Sequence, residues 1–487
     1  MINITDNMLR FGFLFMFCLI SRNVQAKQSI NDNVTDKNHW ASIKGNNNSY
    51  INNSYLNNAY LNNVEKRYLL PALPFAIEES ERLRTMKLAD YFSSGLYVRK
   101  GETIRLSLTG AKTVAIFFGS PMLPVSKTSE EMFDNSVTNS ILISSKDNIS
   151  TFTSPASGMM YFRYALPYSE TLNSAKASIK VIEGGETVPF YVAGQTTLNE
   201  WRNMLKKYSQ SPFIEITDRR SIITVTRKTY NRSAKADPAV LLSKIERIIN
   251  AYDDISGLSA QGDNKDRSSP LKVHFIEDNF STSKNIGNAY MYAEKYMIGM
   301  PGDSSLDVLN PDRLSSAWGV WHEIGHHYQQ DDWLWEPVVE TTVNIYSLYV
   351  QSLLGFPSLL DKKMDNGLIW NEVAKEFKEL KKFPNHNFNS ESSDEDKNDK
   401  MLWIRLVMFE QLRKGLGTDF YRKLHRYYRH HPLKNTANEE EKINMFALRA
   451  SLISGFDLTK FFTGWEWVIN KKTRDDIKAL NLPKSTL

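Results

Sequence analysis

The spacing of apolar and polar positions divides the chain into a strand-rich part and a helix-rich part that follows it. Between residues 93 and 195, short runs of β-branched and aromatic residues alternate with clusters of Gly, Pro, Asn and Ser. Such runs, each bounded by turn-forming residues, are typical of a β-sandwich of about 100 residues. Strands are predicted at residues 96–98, 103–108, 114–118, 140–143, 159–164 and 177–182.

Residues 196–367 have a mixed pattern in which helices and buried strands alternate. Helices are predicted at residues 199–208 and 238–252, where apolar side chains recur at helical spacing. Strands are predicted at residues 213–216, 221–225 and 272–276. His274 stands alone in the last of these strands, so we expect it to be a core residue rather than a metal ligand.

Residues 368–487 are predicted to be mostly helical. A polar loop is predicted at residues 385–400, and we expect its acidic run at 390–396 to be solvated. A basic helix is predicted at residues 420–429. Contact with acidic glycans is one interpretation of this helix, and a solvated helix end is the other.

The first 92 residues contain few core-forming patterns. Residues 1–26 resemble a secretory signal peptide, because Arg10 precedes an apolar core at residues 11–20 and residues 24–26 resemble a cleavage site. That core is about half the length that spans a bilayer, so we expect a secreted or surface protein without a permanent membrane span. Residues 27–63 are rich in Asn and are predicted to be a disordered leader. Residues 64–92 are predicted to be a helical linker, with its helix at 78–92.

Composition and charge limit the class of protein further. Of the 487 residues, 41% are hydrophobic and 12% are aromatic, so the chain can bury sizeable cores. The formal net charge of +5 is small for this length and does not favour a nucleic-acid partner. The single cysteine, Cys18, lies inside the predicted signal peptide, so we expect neither a disulfide nor thiol chemistry in the mature protein.

The candidate chemistry lies in residues 321–328, which contain the pattern H-E-x-x-H. His322 and His326 are four residues apart, so on a helix both imidazoles lie on one face and can bind one metal ion. Glu323 can reach a water on that metal and act as general base. Zinc accepts imidazole and carboxylate ligands and keeps a position open for water, so Zn²⁺ is the predicted cofactor. The helix is predicted to begin at Asn310 and Pro311, a capping residue followed by proline.

A third ligand must follow this motif, and the acidic candidates are Asp331, Asp332, Glu336 and Glu340. The two aspartates come too soon after His326 for the chain to have reversed direction. Glu336 precedes Pro337, whereas Glu340 lies inside a second helix whose first turn Pro337 is predicted to occupy. Glu340 is the preferred ligand and Glu336 is the alternative. Asn344, one turn after Glu340, is expected to hydrogen-bond a ligating histidine and hold its tautomer.

At these residues the sequence resembles the enhancin-like zinc metallopeptidases, a family of mucin-directed peptidases from bacteria and insect viruses. The resemblance rests on H-E-I-G-H-H-Y-Q followed by E-T-T-V-N-I-Y-S-L-Y, and it is weaker elsewhere between residue 96 and the C-terminus. It implies that His322, His326 and Glu340 bind zinc, that Glu323 is the general base, and that the substrate is a mucin-like glycoprotein. Residues 290–299 depart from the family pattern, because they lack a histidine and a proline expected there. This departure affects substrate detail rather than the metal site.

Together these patterns predict a multidomain α+β protein. An N-terminal β-sandwich at residues 93–195 is followed by a zincin-type metallopeptidase domain at 196–367, and residues 368–487 form a mostly helical C-terminal part of the catalytic unit. In such a peptidase an edge strand pairs with the substrate backbone. A second oxyanion donor is expected; Tyr328, Tyr346 and Tyr349 are candidates, and the alternative, which is the commoner case, is that such tyrosines are helix-packing aromatics.

The predicted function is secreted zinc-dependent hydrolysis of peptide bonds. The family resemblance implies that the substrates are mucin-like O-glycoproteins, and contact with their glycans is one interpretation of the basic helix at 420–429. Two alternatives remain. One is a glycan- or surface-binding protein that uses the β-sandwich, and the other is a zinc hydrolase of a non-peptide bond.

Overall fold

The computed structural model describes residues 59–119, 140–278, 290–364 and 366–487. The predicted signal peptide and most of the predicted leader lie outside these residues. The described strands are β1 (Tyr60–Asn62), β2 (Arg67–Leu70), β3 (Leu73–Pro74), β4 (Phe92–Val98), β5 (Thr103–Thr109), β6 (Thr113–Gly119), β7 (Ile141–Ser144), β8 (Ser150–Thr153), β9 (Gly158–Arg163), β10 (Ala165–Leu166), β11 (Ala177–Glu183), β12 (Glu186–Thr187), β13 (Phe190–Val192), β14 (Phe213–Thr217), β15 (Ser221–Thr226), β16 (Val273–Asp278), β17 (Tyr292–Glu294) and β18 (Met297–Pro301).

The described α-helices are α1 (Ala76–Leu83), α2 (Tyr168–Thr171), α3 (Leu198–Lys207), α4 (Arg227–Arg232), α5 (Pro238–Ile255), α6 (Ser305–Val308), α7 (Pro311–Leu314), α8 (Trp318–His326), α9 (Val339–Leu353), α10 (Trp370–Glu379), α11 (Glu395–Leu416), α12 (Asp419–His430), α13 (Glu439–Ser454), α14 (Thr459–Gly464) and α15 (Lys471–Ala479).

Most strands between residues 60 and 187 form two five-stranded antiparallel sheets. Their orders are β1-β2-β11-β5-β8 and β12-β4-β9-β6-β7. The sheets meet where Tyr68 packs against Phe162 and Phe118 packs against Phe152, with ring centroids 4.8 and 5.6 Å apart. Every strand predicted in this part overlaps an observed one, because alternation of apolar and polar residues buries one face of a strand.

The boundaries predicted at residues 63 and 92 do not match the observed elements. β1 lies at the end of the predicted leader, yet it pairs with β2, and β2 pairs with the distant β11. The Gln195 amide closes the outer edge of β1, since it donates to the Ala59 carbonyl at 2.6 Å and accepts from the Leu61 N–H at 3.1 Å. The helix predicted at 78–92 is the shorter α1, and Phe92 already begins β4. Composition missed β1 and β2 because the strand that brings this pair into the larger sheet, β11, lies far along the chain.

A six-stranded sheet of order β13-β14-β15-β16-β18-β17 supports the second part of the molecule. β15, β16 and β18 run parallel, while β17 lies antiparallel to β18 at the edge of the sheet. β13 pairs with β14, so it belongs to this sheet although it falls inside the predicted sandwich at 93–195. The predicted helices at 199–208 and 238–252 correspond to α3 and α5, and α5 extends to Ile255.

A buried carboxyl joins the six-stranded sheet to the preceding strands. Glu215 of β14 accepts hydrogen bonds from the hydroxyls of Tyr161 at 2.9 Å, Thr224 at 2.8 Å, and Ser93. Burial raises the pKa of Glu215 to about 7, although these hydroxyl donors oppose the rise. Since Ser93 and Tyr161 lie on β4 and β9, this network crosses between the two sheets.

His274 of β16 is a core residue, as the sequence predicts. Its Nδ1 and Nε2 atoms lie 2.9 Å from the hydroxyl oxygens of Tyr91 and Thr224. Burial lowers the pKa of His274 to about 3, with nearby Lys272 acting in the same direction. The imidazole is therefore a neutral, fully hydrogen-bonded part of the core.

Helices form most of the remaining chain. The predicted polar loop at 385–400 is shorter than expected, because α11 begins at Glu395. α12 extends one residue beyond each end of the predicted basic helix. Within the described residues, no helix combines the length and apolar character that crossing a bilayer requires.

Candidate metal centre

The helix that carries the H-E-x-x-H pattern begins later than the sequence predicts. Asn310 caps the short α7, where its side chain accepts hydrogen bonds from the N–H groups of Asp312 and Arg313. The chain then leaves helical geometry, and α8 starts at Trp318. The Leu314 carbonyl accepts from the Trp321 indole at 3.0 Å. A tertiary side-chain contact thus satisfies a carbonyl at the end of α7, so the continuous helix predicted from Asn310 is wrong.

Three donor atoms converge at the start of α9 and the end of α8. The Nε2 atoms of His322 and His326 are 3.1 Å apart. Glu340 Oε2 lies 3.0 Å from His322 Nε2 and 3.6 Å from His326 Nε2. A tetrahedral zinc ion with bonds of about 2.1 Å places its ligand atoms about 3.4 Å apart. These three ligand atoms, which we call the donor triangle, therefore match one face of such a tetrahedron, and the fourth corner is left for water.

Among the acidic residues that follow α8, only Glu340 joins the two histidines in the part of the chain that the structure describes. Asp331 is exposed, and Asp332 pairs with Arg84 at 2.8 Å. The Glu336 backbone N–H donates to Glu439 at 3.1 Å, just outside α9. The structure thus brings together the residues preferred from the sequence, and metal binding by them stays a prediction.

The position of Glu340 depends on close contact between α8 and α9. A Cβ atom built on Gly325 would lie 2.9 Å from Val343 Cγ2 and 3.0 Å from the Val343 carbonyl oxygen. Glycine therefore lets the two helices approach. Pro337, predicted in the first turn of this helix, instead lies two residues before Val339, because a turn closes from the Trp335 carbonyl to the Val338 N–H at 2.9 Å.

The amide of Asn344 supports His322, as expected for a residue that holds a ligand's tautomer. Asn344 Oδ1 lies 3.0 Å from His322 Nδ1 and accepts from the Trp318 indole at 3.0 Å. Its Nδ2 donates to the Glu340 carbonyl at 2.8 Å. Since Oδ1 can only accept, His322 carries its proton on Nδ1 and presents the Nε2 lone pair to the donor triangle.

Gln329 is a supporting residue that the sequence reasoning missed. Its Oε1 atom lies 2.7 Å from His326 Nδ1, so it contacts the second histidine as Asn344 contacts the first. The available signal was its position three residues after His326, in the polar segment that directly follows α8.

Electrostatic interactions keep the third ligand candidate ionised. Burial raises the pKa of Glu340, but His326 and His322 outweigh it and hold that pKa well below its usual range. Burial lowers the pKa of His326, but the Glu340 carboxylate outweighs it and raises that pKa to about 9. The centre thus contains a stable carboxylate, which a cation would neutralise.

Glu323 lies beside the donor triangle and contacts the edge strand. Burial raises its pKa, Glu340 adds to this effect, and the two histidines oppose it. The Ala293 backbone, in β17, lowers the pKa of the Glu323 carboxyl, and α8 packs against β17. Glu323 therefore connects the candidate metal centre to the outer edge of the six-stranded sheet, where an extended chain can add as a further strand.

The three tyrosines considered as oxyanion donors are core residues instead. Tyr328 donates to Asp253 at 2.7 Å, Tyr346 donates to the Tyr328 carbonyl at 2.7 Å, and Tyr349 donates to Asp254. All three side chains are buried. Since their hydroxyls already donate to acceptors of this chain, the structure favours the interpretation of all three as helix-packing aromatics.

A second group with metal-ligand side chains consists of Asp263, Asp266 and His430. The Asp266 carboxylate already binds Arg429 at 2.7 Å and Arg426 at 2.7 Å. These arginines neutralise its charge, so we interpret the group as a structural ion-pair cluster. It also accounts for part of the basic face of α12, where Arg426 and Arg429 pair with Asp266 of the same chain.

The chain belongs to the peptidase M60 family, enhancin and enhancin-like. The family's sequence model matches residues 184–466, which is more than half of the chain and includes α8 and α9. The family predicted from the H-E-x-x-H segment is thereby confirmed.

Curated relatives carry a different name. The chain is 24% identical to rat TRPM8 channel-associated factor 3 over 431 residues, covering 86% of this chain and 43% of that protein. It is 25% identical to human TRPM8 channel-associated factor 1 over 400 residues, which cover 80% of this chain and 39% of that protein. The chain thus spans less than half the length of these relatives.

Solved structures share the fold. A functionally unknown conserved protein from Bacillus anthracis str. Ames superposes with a TM-score of 0.72 at 29% identity, covering 86% of this chain and 80% of that one. The catalytic module of the metalloprotease ZmpA from Clostridium perfringens superposes with a TM-score of 0.66 at 17% identity and the same coverage. The M60 catalytic domain of ZmpC from Clostridium perfringens, in complex with the sialyl T antigen, superposes with a TM-score of 0.65 at 16% identity. It also covers 86% of this chain and 80% of that one. The combination of strands and helices described above is therefore the fold of M60 catalytic modules.

Proposed function

We propose that this protein is a zinc-dependent endopeptidase in which His322, His326 and Glu340 bind the metal and Glu323 is the general base. The observation that carries the proposal is the donor triangle with sides of 3.0, 3.1 and 3.6 Å, with Glu323 beside it. Membership of a peptidase family supports the reaction class.

In finer structural terms, we interpret the two five-stranded sheets as a β-sandwich and the six-stranded sheet with α8 and α9 as a zincin-type domain. The ring contacts between the two five-stranded sheets support the first interpretation. The antiparallel edge strand β17 beside Glu323 supports the second. The helices after residue 368 complete the catalytic unit.

The chemistry follows from the positions of these side chains. A zinc ion bound here would polarise the scissile carbonyl and make a water molecule acidic. Glu323 accepts the proton of the attacking water and delivers it to the leaving amine, since one carboxylate can serve as base and then as acid. The Ala293 backbone and the two histidines favour the ionised form of that carboxylate, which is the form that accepts the proton.

We further propose that the substrates are mucin-like O-glycoproteins and that the protein is secreted. The solved relatives that bind the sialyl T antigen and the Tn antigen support the substrate class. The signal-like residues 1–26 support secretion, and exported protein should begin at Lys27. Exported protein that begins at Met1 would refute this processing.

A binding function is the second candidate, because the curated relatives are named as TRPM8 channel-associated factors. A binding protein requires neither a metal nor Glu323. A zinc hydrolase of a non-peptide bond is distinguished by its product, since it would release no peptides.

The test is cleavage of an O-glycoprotein by the zinc-loaded chain, followed by mass spectrometry of the released peptides. Glu323→Gln should keep zinc and lose roughly a hundredfold or more in turnover, the usual scale for a general base. Glu372→Gln, an exposed glutamate on α10, is the matched control and should behave as wild type. Equal turnover of Glu323→Gln and wild type would exclude this mechanism. Comparison of glycosylated with deglycosylated substrate then tests whether glycans are required.

A further inference from the structure

Both polar atoms of the Gln329 side chain make hydrogen bonds within the protein. Its Nε2 donates to the Val339 carbonyl and to the Thr342 hydroxyl, each at 2.7 Å. Its Oε1 lies 2.7 Å from His326 Nδ1. Only 4% of Gln329 is exposed, so water is a poor substitute for these partners.

These contacts determine the tautomer of His326. Both hydrogens of the Gln329 amide are used by oxygens of α9, so Oε1 is the atom that faces the histidine, and it can only accept. The proton of neutral His326 therefore sits on Nδ1, which leaves the Nε2 lone pair in the donor triangle. A ligating histidine held in this way is fixed in tautomer and in ring orientation.

The same amide also links the end of α8 to the start of α9. Val339 and Thr342 lie on either side of Glu340 in the first turns of α9. Gln329 therefore connects the histidine from one helix to the backbone that carries the carboxylate of the other. Asn344 makes the corresponding connection in reverse, from α9 to His322.

We propose that Gln329 is a positioning residue that sets the tautomer of His326 and the spacing between His326 and Glu340. The inference rests on the proposed metal-binding function. A purely structural glutamine would also be buried and hydrogen-bonded, but it would not contact a ligand.

The neighbouring Gln330 provides such a structural glutamine as a matched control. It is 1% exposed, and its Nε2 donates to the Leu83 and His425 carbonyls at 3.2 Å each. Its Oε1 accepts from the Trp333 indole at 3.0 Å. The two glutamines match in type, burial and number of contacts, and they differ in that only Gln329 contacts a candidate ligand.

The experiment compares Gln329→Met, Gln330→Met and Gln329→Glu in the full chain. Zinc affinity is measured by competition with a calibrated chelator, and Tm is measured on the metal-free protein. Both methionine variants should lower Tm, because each leaves buried donors and acceptors unpaired. Gln329→Met alone should weaken zinc affinity, by roughly 10- to 100-fold. Gln329→Glu keeps an acceptor for His326 Nδ1, so it should bind zinc more tightly than Gln329→Met.

The proposal is overturned if Gln329→Met and Gln330→Met bind zinc equally well, or if Gln329→Glu recovers nothing. Should the methionine variants fail to fold, Gln329→Asn is compared with Gln330→Asn. The shorter amide at 329 cannot reach His326 Nδ1 while it holds α9, so it should weaken zinc affinity more than Gln330→Asn does, and equal affinities would overturn the proposal. A wild-type chain that binds no zinc would overturn the proposed function together with this inference. A wild-type chain that binds zinc, with Gln329 variants indistinguishable from their Gln330 controls, would overturn this inference alone.

Discussion

Replacing Gly325 by alanine tests whether the contact between α8 and α9 holds the metal centre together. The added Cβ would lie 2.9 Å from Val343 Cγ2 and 3.0 Å from the Val343 carbonyl oxygen. The methyl group can rotate away, but the carbonyl belongs to the backbone of α9. Comfortable contacts between such atoms are about 3.5 Å, so α9 must move by roughly half an ångström.

The shift of α9 should lower zinc affinity strongly but should change the free energy of unfolding only moderately. Overpacking costs about 1–3 kcal/mol, and the better helix propensity of alanine offsets about 1 kcal/mol of that. The net loss of stability should therefore be about 2 kcal/mol or less. Glu340 lies one turn before Val343 on the same helix, and metal–ligand distances tolerate changes of only about 0.2 Å. We therefore expect zinc affinity to fall about tenfold or more while the fold is retained.

Competition with a calibrated chelator measures the zinc affinity of Gly325→Ala, and thermal unfolding of the metal-free protein measures its stability. Gly319→Ala on the same helix is the control, because its Cβ would meet only Tyr290 ring atoms, at 3.2 and 3.3 Å. The control should bind zinc as wild type does. If Gly325→Ala folds and also binds zinc with wild-type affinity, the argument that helix spacing determines the metal centre is incorrect.

Three other predictions test separate parts of the structure. Glu340→Ala should weaken zinc binding far more than Glu336→Ala in chelator competition, and the reverse order would make Glu336 the third ligand. Asn344→Ala should cost roughly 10- to 100-fold in zinc affinity, since His322 loses the acceptor for Nδ1; an unchanged affinity would contradict this. Glu215 has a folded-state pKa of about 7, above its unfolded value, so its stabilising contribution is complete at low pH and is lost as pH rises through about 7. Glu215→Gln should remove this dependence, so its unfolding free energy relative to wild type should rise by roughly 2–3 kcal/mol between pH 5 and 8, as measured by denaturant unfolding. An equal difference at both pH values would show that Glu215 is not titrating in the fold.

The sequence by itself determined the conformations that depend on local spacing. Alternation of apolar residues located strands such as β5 and β6, and helical spacing placed His322 and His326 on one face of α8. The need to reverse the chain after α8 also favoured Glu340 over the two aspartates. The predictions of strands and of the shared helix face match the structure because neighbouring residues along one strand or helix have a fixed geometric relation. Metal binding by Glu340 stays a prediction.

Only the tertiary structure decided which side chains meet across separate elements. Nothing in the local pattern indicates that the Trp321 indole would bind the Leu314 carbonyl and end α7, or that β1 would pair into a sheet completed by the distant β11. Likewise, Gln329 and Gln330 are neighbouring residues of the same type, and the local pattern does not distinguish their roles. Only the packing of whole elements places Gln329 Oε1 beside His326 Nδ1 and Gln330 Nε2 beside the His425 carbonyl. Such contacts depend on the relative placement of whole elements, which is set by the burial of many distant residues together rather than by the few residues at each contact.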